Sequence, residues 1–310
     1  MAPWLRPHSP QTQAIVTLFD QYLAVAAVIF VIVTALVSYS IVRYRARGLS
    51  DDPPEFTASR RWELAWTAIP LVIVTVFFAL ALRTMAFVDA PQDGGRNADL
   101  TIIGHQWWWE ARYPAPAGGL ATTANDIHIP TGRRLLARVE AVDVIHDFWV
   151  PQLARKIDAI PGRASYVWLE ADAPGIYQGT CSEFCGMQHA GMRFQVIAEP
   201  EAAFTAWLDR EAAAPPAPQG LAIEGQRLFR ERKCGDCHSV SPADRRALIG
   251  PPLAHIASRN RLAGDRAVTP ENLRLWIIAP QALKPGNRMP DQKLPATEVD
   301  ALTAYLQGLQ

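Results

Sequence analysis

The 310-residue chain carries no excess charge of either sign, since 30 Lys and Arg balance 30 Asp and Glu. Nothing global therefore points to nucleic acid or to an acidic substrate. Internal repeats are absent. Cysteine is scarce, with four in two pairs, Cys181/Cys185 and Cys234/Cys237. Both pairs sit beside His and Met at ligand spacing, which argues against a disulfide framework. The neutral total hides a split: residues 89–210 hold 10 basic against 15 acidic residues, and residues 221–310 hold 13 against 9. Segments of −5 and +4 in one chain are expected to face each other or a charged partner.

Charge is also missing from two long apolar runs, the 20 residues Leu23 to Val42 and the 19 residues Leu64 to Leu82. A hydrocarbon core needs about 20 residues of helix, so both read as spans of a lipid bilayer. A signal peptide fits the first run poorly, because Arg43, Arg45 and Arg47 follow it instead of a small-residue cleavage site. With Arg60 and Arg61 these arginines place the connecting loop inside the cell. Both termini, and everything after Leu82, are then expected on the outer face.

Residues 99–199 change character. Asp99–Trp109, Arg134–Val142 and Arg163–Glu170 mix β-branched, aromatic and polar residues between Pro and Gly, the texture of a β-sandwich. Pro200–Arg210 reads as one amphipathic helix with Phe204, Trp207 and Leu208 on a common face. Glu211–Gly220, EAAAPPAPQG, is a semi-rigid linker. It spans at most about 33 Å, enough to let the C-terminal part swing. Leu221–Arg232, Glu271–Ile278 and Glu298–Leu309 are the clearest helices of the remainder. The expected domains are a hairpin segment 1–88, a β domain 89–210, the linker 211–220 and a helical domain 221–310.

The run Cys181-Ser-Glu-Phe-Cys185-Gly-Met-Gln-His189-Ala-Gly-Met192 gathers two thiols, an imidazole and a thioether, with His146 lying 35 residues before Cys181. A single-copper electron-transfer site uses one Cys, two His and a weak Met. One further thiolate lets two sulfurs bridge two copper ions, leaving one imidazole to end each. Spreading an added electron over two metals limits rearrangement, which suits transfer rather than bond chemistry. A Cys2His2 zinc site would have no use for Met192.

Cys234-Gly-Asp-Cys237-His238 is the C-x-x-C-H signature of covalent haem attachment. The adjacent His must ligate iron, and Met289 in Asn287-Arg288-Met289-Pro290 fits the second axial position. His255 is the competitor for that place. His/Met ligation closes the iron to substrates and raises its potential. A redox dithiol would need a βαβ surround, and half a zinc site a second cysteine pair nearby, and neither is present. His8, His105 and His128 are most simply surface or strand residues.

On these residues, the chain resembles cytochrome c oxidase subunit II over roughly residues 14 to 200. His146 with C-S-E-x-C-G-x-x-H-x-x-M is similar to the CuA motif of that family, and Gly104–Trp109 and Asp158–Arg163 resemble its neighbouring segments. The resemblance implies a cupredoxin β-barrel in which Cys181 and Cys185 bridge the dinuclear copper (CuA). His146 and His189 would end it, Met192 would be a weak ligand, and the carbonyl of Glu183 would complete the set. It also implies a magnesium at the interface with subunit I, reached by the Glu183 carboxylate. Trp107 matches the aromatic through which electrons come in from cytochrome c, and Glu63 the acid near a proton pathway. Trp108 departs from the family, which usually has Tyr there. The C-terminal part, with Gly250-Pro251-Pro252-Leu253, resembles a class I cytochrome c carrying haem c.

The fold class expected is thus multidomain: a transmembrane α-helical hairpin, a cupredoxin β-sandwich or barrel, and an all-α class I cytochrome c. The combination looks like the caa-type branch of bacterial cytochrome c oxidases, in the plasma membrane. Its implied partners are the haem-copper subunit I, a subunit III, and a cytochrome c or another respiratory complex as donor. Oxygen would be reduced to water on subunit I. A copper-containing nitric oxide reductase is the alternative. A quinol oxidase subunit would lack Cys181, Cys185 and His189, and a copper-delivery protein would not need a tethered haem domain. We further expect the +4 haem domain to dock on the −5 copper domain.

Overall fold

The computed structural model describes residues 6–45, 59–92, 97–115, 119–242, 244 and 249–310. Arg47 of the basic loop lies outside them. Two helices open the chain, α1 (Pro10–Arg43) and α2 (Arg60–Val88). At about 1.5 Å per residue, their 34 and 29 residues exceed a hydrocarbon core of about 30 Å. Large apolar side chains such as Phe30, Val42, Leu71 and Phe78 are exposed along them. A helix apolar on its outside has lipid as its solvent.

Ten strands come next: β1 (Leu100–His105), β2 (Trp108–Pro114), β3 (Leu120–Ala124), β4 (Asp126–Pro130), β5 (Leu135–Ala141), β6 (His146–Trp149), β7 (Ile157–Ala159), β8 (Ser165–Leu169), β9 (Gly175–Cys181) and β10 (Arg193–Glu199). They form two five-stranded sheets, ordered β3-β2-β1-β5-β8 and β4-β10-β9-β6-β7. β1/β5 and β4/β10 pair in parallel and the other ladders are antiparallel. The segment Asp99–Trp109 is two strands, with a turn at Gln106 and Trp107 between them. The inward side chains of both sheets meet in one core, where Trp109, Phe148 and Phe194 are fully buried. Phe148 stacks on Phe194 with ring centroids 4.6 Å apart. This core fixes the two strands, β6 and β9, that carry His146 and Cys181.

Helix α3 (Glu201–Ala212) caps the barrel through Phe204, Trp207 and Leu208. It runs into the Ala/Pro stretch, so Glu211 is helical and buried. The last part contains α4 (Leu221–Glu231), a two-residue strand pair β11 (Arg261–Leu262) and β12 (Arg266–Ala267), then α5 (Pro270–Ile278), the single turn α6 (Pro280–Leu283) and α7 (Ala296–Gln307). Pro270 at the first turn, with Thr269 accepting from Asn272 N, starts α5. α4 and α7 cross with Phe229 edge-on to Tyr305 at 5.7 Å. Leu228, Leu273, Ile277 and Leu302 close the core behind them.

The barrel and the helical part form one compact unit, whereas residues 13–89 form another. Within the first, the Ala/Pro stretch does not leave the helical part free. His255, 3% exposed, donates Nε2–H to the carbonyl of Ala213 at 3.0 Å. Asn260 N donates to Asp126 Oδ2 at 2.6 Å, and Arg261 bonds the side chains of Gln195 and Gln178.

Candidate electron-transfer centres

At one end of the barrel five sulfur and nitrogen donors converge. Cys181 Sγ and Cys185 Sγ are 3.8 Å apart, too far for a disulfide bond of about 2.05 Å. The separation is less than two metal–thiolate bonds of about 2.3 Å each, so both sulfurs can reach a shared ion. His146 Nδ1 lies 4.0 Å from Cys181 Sγ, and His189 Nδ1 lies 3.7 Å from Cys185 Sγ. Met192 Sδ is 3.7 Å from Cys185 Sγ, and the Glu183 carbonyl oxygen is 3.2 Å from Cys181 Sγ. Every copper ligand expected from the sequence is therefore in one cluster. Cys181, Cys185, His146 and Met192 are buried, while Glu183 is exposed. The hydrogen bond from Cys185 draws the Cys181 thiol well below its ordinary range, against the opposing effect of burial, and so favours the thiolate that a metal needs.

Asp143, which carries no motif in the sequence, orients this set. Its Oδ1 accepts from His146 Nε2 at 2.9 Å and from Val144 N at 2.8 Å, and its Oδ2 accepts from Gln106 N at 2.8 Å. A carboxylate on Nε2 fixes the tautomer and leaves Nδ1 free for metal. Burial opposes ionisation of Asp143, but these hydrogen bonds outweigh it and hold the carboxyl at about 2. A carboxylate three residues before a histidine is the only sequence signal, and it is a weak one.

The second centre lies in the helical part. Cys234, Cys237, His238 and Met289 line one largely apolar cavity, walled by Leu253, Ile256, Leu273 and Ile277. His238 Nδ1 is 2.8 Å from Pro251 O. A carbonyl only accepts, so Nδ1 carries the proton and Nε2 keeps the lone pair that an iron would take. Gly250 makes this possible, because a Cβ there would come 2.4 Å from His238 Cε1. The cavity's apolar wall and its free histidine nitrogen beside two cysteines fit a covalently held haem. His255 is tied to the linker and does not line the cavity.

Trp107 connects the two centres. It lines the cavity together with Gln106 and Trp108 of the barrel. Its Nε1 donates to the carbonyl of Cys185 at 2.9 Å, and Gln106 Nε2 donates to the same oxygen at 2.8 Å. Glu63 is exposed in the first turn of α2, where an acid is favoured by the helix dipole.

Three family models match the chain. The transmembrane domain of cytochrome C oxidase subunit II covers residues 6–84, its periplasmic domain residues 115–199, and cytochrome c residues 222–310. Cytochrome c oxidase subunit 2 of Alkalihalophilus pseudofirmus is 34% identical, across 99% of this chain and 90% of its own length. That of Bacillus sp. strain PS3 is 32% identical, across 83% and 77%. The crystal structure of the periplasmic domain of subunit II of cytochrome oxidase of Bradyrhizobium japonicum is 32% identical. It covers 38% of this chain and 99% of its own, with a TM-score of 0.34. The periplasmic-domain match implies copper in a CuA centre, and the cytochrome match implies haem c. The chain belongs to the cytochrome c oxidase subunit II family, in a form with a fused C-terminal cytochrome c domain, and is a membrane-bound subunit of the oxidase complex that assembles with subunit I.

Proposed function

We propose that this chain passes electrons from a donor through haem c to the dinuclear copper centre and on to subunit I, where oxygen is reduced to water. The observation that carries the route is Trp107, which borders the haem cavity and bonds the backbone of the copper ligand Cys185. When bound, the two groups supply one-electron carriers that need no substrate site on this chain. Cys181, Cys185, His146 and His189 would hold the copper pair, the histidines through Nδ1, with Met192 as a weak ligand and the Glu183 carbonyl completing the set. Asp143 keeps the His146 ring in place, and Pro251 does the same for His238, which together with Met289 would hold the haem iron. Trp107 holds the short covalent and hydrogen-bonded path between them. The exposed Glu183 carboxylate is free to reach a magnesium shared with subunit I, and Glu63 is the acid at the mouth of a proton pathway.

The same reading puts residues 1–88, 89–210, 211–220 and 221–310 as hairpin, copper domain, linker and haem domain. Both termini and both cofactor domains face the periplasmic side, as the Arg-rich connection between α1 and α2 supports. A cytochrome c or another respiratory complex donates, and a subunit III completes the assembly. The alternative is a copper-containing nitric oxide reductase with the same carriers. Purifying the intact complex and assaying the gas consumed separates them. Oxygen uptake with haem a in the preparation is the expected result, and reduction of nitric oxide without oxygen uptake would overturn it.

A further inference from the structure

The loop that bears Met289 is fastened to the copper domain by contacts that the cofactors do not require. Lys284 is only 8% exposed. Its Nζ donates to the carbonyl of Trp107 at 2.8 Å and approaches that of Gly191 at 3.4 Å. Gln188 Nε2 donates to Pro285 O at 2.7 Å. Gly286, at φ 79°, packs so closely that a Cβ would come 2.6 Å from Met187 Sδ. Arg288 Nη2 reaches Gln106 Oε1 at 3.2 Å and Asp143 Oδ2 at 3.4 Å. The short segment 284–288 thus meets the barrel through Lys284, Pro285, Gly286 and Arg288, on the turn at Trp107, the copper loop and Asp143.

A buried ammonium is costly unless its protons are bonded, and Lys284 reaches backbone carbonyls rather than a mobile carboxylate. Carbonyls are fixed in direction, so this contact specifies position as well as proximity. One of those carbonyls belongs to the residue whose indole bonds Cys185. We propose that Lys284, assisted by Arg288, is a positioning latch that holds the Met289 loop of the haem domain on the Trp107 turn and thereby sets the rate of haem-to-copper transfer. This rests on the electron route proposed above. The latch replaces a swinging domain with a docked one: the linker brings the haem domain near, and Lys284 decides where it stops.

The test uses the intact oxidase complex with flash photoreduction of haem c, following haem and copper absorbance together. In Lys284→Met the haem spectrum and the copper paramagnetic signal should be retained while transfer slows about tenfold, the scale of one lost charge-assisted hydrogen bond. Lys284→Arg keeps charge and donors and should recover most of the rate. Arg288→Glu sets two acids against each other at Asp143 and should also slow transfer, more at low salt than at high. An unchanged rate in Lys284→Met overturns the latch. Should that variant not assemble, Arg288→Glu decides, since its side chain is about half exposed and an unchanged rate there overturns the proposal equally. A wild-type complex holding both cofactors but showing no haem-to-copper transfer would overturn the electron route itself, whatever the variants do.

Discussion

A single methyl group would separate the proposed haem ligand His238 from a displaced one. In Gly250→Ala the new Cβ would come 2.4 Å from His238 Cε1. The ring must then turn off the Pro251 carbonyl or the loop must move. Overpacking of this kind costs about 1–3 kcal/mol. Cys234 and Cys237 should still attach haem, but the visible spectrum should lose its low-spin His/Met form and the melting temperature should fall. An unaltered spectrum and melting curve would refute the account. At this scale the candidate runs Cys181–Met192 and Cys234–His238 were legible because their donors lie within a few residues of one another, whereas His146 and Met289 stand 35 and 51 residues off. Asp143 and Lys284 were not legible. A lone carboxylate or lysine has no motif, and what makes each matter is a partner fixed by folding.

Among the elements, two depressed carboxyls tie the barrel together. Burial opposes ionisation of Glu110, but hydrogen bonds from His105 and Arg112 prevail and lower its pKa. A hydrogen bond from His128 lowers that of Glu199, and His128 also stacks on Trp207 of α3 at 4.0 Å. A carboxyl whose folded pKa is depressed stabilises above its ordinary value and loses that contribution as pH falls through the folded one. The stability that Glu110 supplies should therefore be lost on acidification from about pH 6 to about pH 3. Glu110→Gln should cost about 1–3 kcal/mol at neutral pH, and the gap in melting temperature between it and the wild type should close over that range. A gap that stayed constant would count against the Glu110 contacts. The helices were legible from their period: Glu271–Ile278 became α5 from Pro270, and Glu298–Leu309 became α7 over Ala296–Gln307. The turn at Gln106 and Trp107 was not, because it interrupts an aromatic run without a Gly or Pro to mark it.

For the whole molecule, opposite net charges describe the meeting of the two domains only in part. Arg288 pairs with Asp143 at 3.4 Å in the expected sense, but Arg193 of the barrel pairs with Asp265 of the haem domain at 3.5 Å in the opposite one. Most other contacts are hydrogen bonds to amides and carbonyls. Exposed ion pairs contribute about 0.2–1 kcal/mol each. Raising ionic strength from about 10 to about 150 mM should therefore slow haem-to-copper transfer by less than about fivefold. A steeper fall, measured by flash photoreduction at the two salt concentrations, would mean that net charge rather than the hydrogen-bonded loop holds the domains.

Local chemistry made legible the membrane runs, the strand and helix texture, the Cys181–Met192 run and the C-x-x-C-H segment, and through them the family. Each depends on residues close in sequence, unlike His146 and Met289, which folding brings to the two sites from 35 and 51 residues away. Folding alone decided that Trp107 borders the haem cavity, that Asp143 steadies His146, and that the Ala/Pro stretch leads to a docked domain. Those relations join residues as far apart as Trp107 and Lys284, 177 positions along the chain. Such contacts arise only when two packed cores present rigid surfaces to each other, and no local pattern encodes that.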